Sequence, residues 1–214
     1  MNVLVTGTGR GIGLAVAQRF ADAGHDVWGV DLAPAALRHE RYRHVRGDIR
    51  TVTVDVPDLN ILINNAGTLA EEDALSVNLT GTMAFTERHI GSPALKSVLF
   101  VASASGRNVA EFPRYVASKA GIIGYMKNLA LTLSKRGVTV NSVSPGGVVT
   151  PANDHILNDP VLYDAVKRET LLGKWATARE VADLIFFLTV TNRSITGEDV
   201  LMDNGEMLRS NFIW

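Results

Sequence analysis

Short apolar runs rich in β-branched residues alternate along the chain with longer stretches of helical periodicity. This alternation constrains the fold more than any other feature, because it is typical of a parallel sheet with crossover helices on both faces. We therefore predict an α/β, Rossmann-type, doubly wound fold with a mainly parallel sheet of seven strands. The predicted strands are Val3 to Thr6, Asp26 to Asp31, Arg43 to Arg46, Ile61 to Asn64, Val98 to Ala102, Val138 to Val143 and Asp199 to Met202. The predicted helices are Ile12 to Ala23, Ala74 to Ile90, Tyr115 to Lys135 and Ala178 to Thr189.

The composition is that of a globular protein. The 214 residues are 46% hydrophobic and 20% charged, with a formal net charge of -1. This length suits one domain, residues 1–214, and the balanced charge gives no basic face for nucleic acid. The chain has no cysteine, and its five histidines do not show metal-ligand spacing. We expect no metal site.

The beginning of the chain bears on its location. The first apolar run, Val3-Leu4-Val5, begins two residues after Met1, which leaves no room for a cleavable leader. The apolar run Leu184 to Leu188 is far shorter than the ~20 residues that cross a bilayer. We expect a cytoplasmic protein without a membrane segment.

A glycine-rich loop, Thr6-Gly7-Thr8-Gly9-Arg10-Gly11-Ile12-Gly13, joins the first predicted strand to the first predicted helix. Glycines there let the backbone approach a pyrophosphate, and the helix offers its free N–H groups to the phosphate charge. An ordinary glycine-rich turn is the alternative, and the strand and helix on either side argue against it. The predicted dinucleotide contacts are Gly7, Arg10, Gly11, Ile12 and Gly13.

The second predicted strand ends at Asp31. A carboxylate about 20 residues after the glycine loop accepts hydrogen bonds from the adenosine ribose and repels a 2'-phosphate, which favours NAD. Arg10 is the competing signal, because a cation in the loop could pair with the 2'-phosphate of NADP. We give Asp31 more weight and predict NAD rather than NADP.

Tyr115 and Lys119 stand four residues apart in a predicted helix, so their side chains share one face. A neighbouring cation lowers the pKa of a tyrosine from its usual value of about 10, which favours proton transfer near neutral pH. Ser103 follows a predicted strand, where open α/β sheets bind ligands, and could hold a substrate carbonyl. Ser105 is the alternative hydroxyl.

Thr6-Gly7-x-x-x-Gly11-x-Gly13 and Tyr115-x-x-x-Lys119, in this order and separation, resemble the motifs of the short-chain dehydrogenases/reductases, in particular their one-domain branch. The resemblance covers nearly the whole chain. It implies that Tyr115 is the general acid in reduction and the base in oxidation, that Lys119 also holds the nicotinamide ribose, and that Ser103 orients the substrate oxygen. It further implies that Asn78, in Ser76-Val77-Asn78-Leu79, holds a water of the proton relay.

The same resemblance implies further cofactor contacts. Asn64-Asn65-Ala66-Gly67 is similar to the family's stretch after the fourth strand, where Asn65, Ala66 and Gly67 border the adenosine side. Asp48, followed by Ile49, resembles the residue that contacts the adenine. The segment Pro145-Gly146-x-Val148-x-Thr150 resembles the nicotinamide clamp, with Thr150 toward the carboxamide.

The chain departs from the family pattern in its spacings. It is short between Asp48 and Ile61, where relatives usually carry a helix after the third strand, and again just before Asn78. The interval from Ser103 to Tyr115 is one residue shorter than expected. The chain therefore resembles a trimmed member of the family.

Residues 150–176 form a long stretch without regular periodicity, which we interpret as a substrate lid. Its apolar residues are Ile156, Leu157, Val161, Leu162, Tyr163, Val166, Leu171 and Leu172. An apolar lid favours a small apolar alcohol or ketone, such as a secondary alcohol, a hydroxysteroid or a 3-hydroxyacyl group. A segment that merely packs on the body is the alternative.

Apolar positions in the predicted helices 74–90 and 115–135 exceed what one core face needs, and Phe212-Ile213-Trp214 ends the chain. These features predict a homodimer or homotetramer.

Taken together, the sequence predicts an NAD-dependent oxidoreductase that interconverts a secondary alcohol and a ketone by hydride transfer. The alternative is a catalytically weak, NAD-bound regulator or scaffold on the same fold, and a more remote one is an isomerase or dehydratase.

Overall fold

The computed structural model describes residues 1–108 and 112–208. Its strands are β1 (Asn2–Thr6), β2 (Asp26–Asp31), β3 (Tyr42–Arg46), β4 (Leu59–Asn64), β5 (Ser97–Val101), β6 (Thr139–Pro145), β7 (Val148–Val149), β8 (Ala176–Thr177) and β9 (Asp199–Met202). Seven of them form one parallel sheet in the order β3-β2-β1-β4-β5-β6-β9. The predicted doubly wound sheet is confirmed. A two-stranded ribbon of β7 and β8, which the sequence did not predict, stands apart from it.

The described helices cover both faces of the sheet. They are α1 (Gly11–Asp22), α2 (Glu71–Ala74), α3 (Thr82–His89), α4 (Ser105–Asn108), α5 (Pro113–Leu133), α6 (Asp154–Leu157), α7 (Pro160–Arg168) and α8 (Ala178–Phe186). A π-helical segment, Leu75–Gly81, joins α2 to α3, and another, Phe187–Thr191, extends α8. Short 3-10 turns occupy Ser134–Arg136, Pro151–Asn153 and Glu206–Leu208.

Side chains of β4 show how the two cores are separated. Ile61 and Ile63 pack with α1 and α8 on one face of the sheet. Leu62 packs with α3 and α5 on the other. This alternation follows from the two-residue period of a strand, and both faces are apolar because helices bury them both.

The two connections around β3, residues 32–41 and 47–58, contain no helix. The sequence predicted that the second of these crossovers is shortened, and it predicted no helix in the first, which contains Pro34. In place of a helix, the second connection is fastened to α3 by His89. The ring donates from Nδ1 to the Phe85 carbonyl at 2.7 Å and accepts the Val54 N–H at Nε2 at 3.2 Å.

The lid segment is more regular than the sequence predicted. Residues 150–176 contain α6 and α7 and the first residue of β8, so the interpretation as an irregular stretch was wrong. The missed signal is a helix start: Asp159 accepts hydrogen bonds from Val161 N and Leu162 N, and Pro160 occupies the first helical position. Phe212-Ile213-Trp214 lies outside the described residues.

None of the helices within residues 1–108 and 112–208 combines the length and the apolar character needed to span a membrane.

Acidification should destabilise the protein more than it destabilises a His89→Gln variant. Burial lowers the pKa of His89, so its contribution to stability is present above the unfolded-state value of about 6.5 and is lost as the pH falls below it. Glutamine keeps one donor and one acceptor for Phe85 and Val54 without titrating. Urea unfolding at about pH 7.5 and about pH 5.5 measures the difference. His155→Gln, at an exposed position in α6, is the control. An equal pH dependence of the unfolding free energy in wild type and His89→Gln would contradict the assignment.

Candidate active site

The predicted site residues collect at the carboxyl-terminal edge of the sheet. The strand order reverses between β1 and β4, and ligands of open α/β sheets bind outside such a switch point. The loops after β1, β2 and β4 meet on one side of this edge, and the ends of β5 and β6 lie on the other.

The glycine loop has the conformation that close phosphate contact requires. Gly7 and Gly11 have φ angles of 75° and 57°, which favour glycine. A Cβ on Gly13 would lie 2.0 Å from the Gly7 carbonyl oxygen, so no larger residue fits there. At the start of α1, Arg10 makes no capping bond with its side chain, and no acidic residue stands in the first turn, which includes Ile12. The positive end of the helix is therefore free for an anion, and the loop fits a dinucleotide pyrophosphate.

Asp31 is bound to the glycine loop. Its Oδ2 accepts the Gly9 N–H at 2.7 Å, and its Oδ1 accepts the Ala33 N–H at 2.8 Å. These bonds fix the carboxylate at the end of β2, beside the loop. Arg10 is exposed, and Arg46, which the sequence analysis did not single out, pairs with Asp31 in the register of β2 and β3.

Asn65 and Ala66 support the loop from β4. The Asn65 Nδ2 donates to the carbonyl oxygens of Thr6 at 3.0 Å and Gly7 at 3.1 Å. The backbone N–H groups of Asn65 and Ala66 both donate to the Thr6 hydroxyl at 3.0 Å. The amide of Asn65 is thus used within the protein, where it fixes the glycine loop.

The expected adenine contacts lie after β3. Arg50 donates to the Asp48 carboxylate, with 2.6 Å between Nη2 and Oδ2, and its side-chain and backbone hydrogen bonds lower the pKa of Asp48. The side chain of Ile49 is buried in the core cluster, which leaves it little surface for a ligand. Arg88 donates to the Ile49 carbonyl and holds this loop against α3.

Ser103, Tyr115 and Lys119 converge between β5 and α5. Burial raises the pKa of Tyr115, so the expectation that a neighbouring cation lowers it was wrong, and interaction with the Ser103 hydroxyl works against the rise. Lys119 is 6% exposed and donates from Nζ to the Val101 carbonyl at 2.8 Å. Burial lowers the pKa of Lys119 to about 8. Ser105, the alternative hydroxyl, begins α4 and donates its backbone N–H to the Ser103 Oγ at 3.2 Å.

Asn78 lies in the π-helical segment and is nearly fully buried. Its Oδ1 accepts the Thr68 N–H at 2.8 Å, and its Nδ2 donates to the Thr68 carbonyl at 2.9 Å and to the Ser118 hydroxyl at 3.2 Å. A Cβ on Gly67 would lie 3.1 Å from Asn78 Oδ1 and 3.6 Å from Lys119 Nζ. The bare Cα of Gly67 therefore leaves a small space that both groups border.

The predicted nicotinamide clamp lies between β6 and the lid. Pro145 ends β6, and Val148 is buried in the β7 and β8 ribbon. The Thr150 side chain would lie 3.5 Å from a Cβ on Gly11, so the clamp reaches the glycine loop. A Cβ on Gly146 would approach Glu206 Oε2 to 3.1 Å.

The predicted lid, residues 150–176, presents apolar side chains outward. Val161 is 79% exposed, Leu171 61% and Leu172 69%. The lid is anchored by Trp175, which is nearly buried and packs so closely that a Cβ on Gly147 would lie 2.2 Å from its ring. The rest of the domain thus holds the end of this segment, while Val161, Leu171 and Leu172 keep exposed apolar surface.

An ion pair that the sequence analysis missed, between Arg107 and the buried carboxylate of Asp199, fixes α4. Arg107 Nε donates to Asp199 Oδ2 at 2.6 Å, and the hydroxyls of Ser142 and Ser144 donate to the same carboxylate. Asp199 is 5% exposed, so the pair and its hydroxyl partners compensate a buried charge. The pair anchors the helix whose first N–H binds the Ser103 hydroxyl.

Within the described ranges, no three His, Asp or Glu side chains are grouped so that they could hold a metal ion.

A parallel sheet with a glycine-rich turn at its switch point is the architecture of dinucleotide-binding oxidoreductases. Comparison with known proteins narrows this class. A family model described as enoyl-(acyl carrier protein) reductase matches residues 40–206. The chain is 30% identical to glucose 1-dehydrogenase of Gluconobacter oxydans, with 98% of this chain and 93% of that protein covered. It is 31% identical to the short-chain reductase protein NovJ of Streptomyces niveus, with 94% and 92% covered.

A solved oxidoreductase of the short chain dehydrogenase/reductase family from Burkholderia thailandensis has the same fold. The TM-score is 0.87 at 29% identity, over 97% of this chain and 93% of that chain. The chain belongs to the short-chain dehydrogenase/reductase family, whose members are oxidoreductases that bind a nicotinamide dinucleotide. Its alignment with the glucose dehydrogenase extends over 248 positions, more than the 214 residues of the chain, so the relative has extra residues.

Replacement of Gly13 by alanine should weaken dinucleotide binding. The new methyl group would displace the Gly7 carbonyl and the Asn65 amide, which lie 2.0 Å and 2.4 Å from its position. We expect the Kd for NADH, measured by fluorescence titration, to rise at least about tenfold. Gly91→Ala, which has open space around its Cβ, is the control. An unchanged Kd in a folded Gly13→Ala protein would exclude the loop as the binding site.

Proposed function

We propose that the protein is an NAD-dependent dehydrogenase/reductase that interconverts a secondary alcohol and a ketone. The observation that carries this proposal is the convergence of Ser103, Tyr115 and Lys119 at the sheet edge that also holds the glycine loop. Ser103 lies just after β5, Tyr115 and Lys119 lie in α5, and each has a distinct chemical use. A protein that only bound a dinucleotide would not need them together.

In this proposal the Tyr115 phenol moves the proton. Burial keeps the phenol protonated, which suits a general acid in ketone reduction, and Ser103 holds the substrate oxygen beside it. With a pKa of about 8, Lys119 carries a proton at neutral pH and favours the phenolate that remains after the proton leaves. When bound, the nicotinamide accepts or donates the hydride.

Asn78 has a positioning role in the proposal besides the relay water that the family resemblance implies. Its bonds to Thr68 and Ser118 hold the segment before α2 against α5. The space beside Gly67, bordered by Asn78 Oδ1 and Lys119 Nζ, is where such a water would fit. A side chain at position 67 would enter this space, which is why glycine suits the position.

Asp31 supports NAD as the cofactor. Its carboxylate is fixed next to the loop by Gly9 and Ala33, and a fixed negative charge there opposes a 2'-phosphate. The exposed Arg10 and Arg46 are the cations that could accommodate NADP instead. We give Asp31, whose two hydrogen bonds fix its carboxylate, more weight than two exposed side chains.

The lid supports a small apolar substrate. The exposed Val161, Leu171 and Leu172 would lose water contact on closing over an apolar alcohol or ketone. We further propose that residues 1–214 act as one domain, with residues 150–176 as the lid. A homodimer or homotetramer accounts for Leu131 on α5, whose side chain is 76% exposed.

A catalytically weak, NAD-bound regulator is the second candidate, and the two helix-free connections around β3 favour it. A spectrophotometric screen at 340 nm with secondary alcohols, hydroxysteroids and 3-hydroxyacyl thioesters distinguishes the two. NADH binding without any turnover would support the regulator.

Tyr115→Phe should abolish most of the activity found in that screen. Removal of the phenolic proton should lower kcat by about 10² to 10⁴-fold, the usual share of general acid-base catalysis. NADH binding should be unchanged because the ring is kept. Tyr125→Phe on the same helix is the matched control, since its hydroxyl is buried without a partner among the described residues. Full activity in Tyr115→Phe would refute the mechanism.

Asp31→Asn should shift the cofactor preference toward NADP. Loss of the charge removes the repulsion of the 2'-phosphate, and the amide keeps the side-chain shape. We expect the ratio of kcat/KM for NAD to that for NADP to fall by about tenfold or more. Asp26→Asn, at the opposite end of β2, serves as the control. A wild-type preference for NADP would contradict the assignment before any variant is made.

A further inference from the structure

The backbone of Tyr115 is held on both sides by side-chain hydrogen bonds. Its N–H donates to Glu71 Oε1 at 3.1 Å. Its carbonyl accepts the Ser118 hydroxyl at 2.7 Å. One of these partners is in α5 itself, whereas Glu71 is the first residue of α2.

Glu71 serves as the cap that α5 lacks. Phe112 precedes the helix with a φ angle of 52° and makes no capping bond with its side chain, and Pro113 has no N–H to offer. Arg114 and Tyr115 therefore carry the first amide donors of this helix of 21 residues. Glu71 takes both, because Oε2 accepts the Arg114 N–H at 3.1 Å. Its charge also lies at the positive end of the helix dipole.

The position of Glu71 is itself fixed by the site. Ala70 N donates to the Thr68 hydroxyl at 3.0 Å, and the Thr68 backbone is bound on both sides by the Asn78 amide. Asn78 also donates to the Ser118 hydroxyl. The hydrogen bonds thus close a ring that runs from Tyr115 through Glu71 and Asn78 back to Tyr115.

We propose that Glu71 is a positioning residue that sets where the Tyr115 phenol stands relative to Ser103 and Lys119. The inference rests on the proposed function, in which that phenol transfers the proton. Without the carboxylate, the first turn of α5 has two unsatisfied N–H groups and can shift. A displacement of about 1 Å at a reacting group can cost about 100-fold in rate.

Two substitutions and one control test the proposal. Glu71→Ala removes both acceptors, whereas Glu71→Gln keeps the length of the side chain and one acceptor oxygen. Glu72→Gln changes the charge by the same amount at the exposed neighbouring position. Kinetics are measured on the substrate that the wild type turns over fastest in the 340 nm screen, and hydrogen exchange is measured on the amides of Arg114 and Tyr115.

We expect kcat to fall about 10- to 100-fold in Glu71→Ala and several-fold less in Glu71→Gln, while KM and the Kd for NADH change less than about twofold. The Arg114 and Tyr115 amides should exchange faster in Glu71→Ala than in Glu72→Gln. Partial rescue by glutamine and an effect on kcat alone separate positioning from a general loss of stability.

Either of two results would overturn the proposal. The first is wild-type exchange rates at Arg114 and Tyr115 in Glu71→Ala. The second is a wild-type kcat in Glu71→Ala when the separate variant Tyr115→Phe is inactive. The exchange measurement needs no substrate. It therefore separates failure of the Glu71 contact from failure of the proposed function, which would show as full activity in Tyr115→Phe.

Discussion

The close approach of the glycine loop to the amide of Asn65 is the contact on which the rest of the site depends. The Asn65 Nδ2 reaches both the Thr6 and the Gly7 carbonyls, and this is possible only because Gly13 has no side chain. The contact joins the ends of β1 and β4 at the point where the strand order reverses. It thereby fixes the start of α1, whose free N–H groups face the same edge as the catalytic candidates.

On the other half of the edge, burial sets the chemistry. The same loss of water contact raises the pKa of Tyr115 and lowers that of Lys119. The pKa values of the two groups, which are close together in water at about 10 and about 10.4, are therefore moved apart, and the pKa of Lys119 becomes the lower of the two. Desolvation of Lys119 is tolerated because its Nζ donates a hydrogen bond to the Val101 carbonyl.

Features that depend on short, local sequence patterns could be predicted from the sequence. Contacts between residues far apart in the chain could not. The sheet, the glycine loop and the four-residue spacing of Tyr115 and Lys119 each follow from short periodicities. The pair of Arg107 and Asp199 joins residues 92 positions apart, and such a pair leaves no periodic pattern. Glu71 lies 44 positions before Tyr115, and their contact likewise leaves no periodic pattern in the sequence. The helix α7 was missed although its start signal, Asp159 followed by Pro160, is local.

The helix-free connections around β3 have a consequence for how the protein opens. None of the five residues of β3 is fully buried, whereas all five residues of β5 are. Elements with few buried contacts open locally at lower free energy than the core. The edge next to Asp31 is therefore expected to open at lower free energy than β5, and a dinucleotide bound there would stabilise it. Ligand occupancy would thus govern how long this edge survives exposure to proteases.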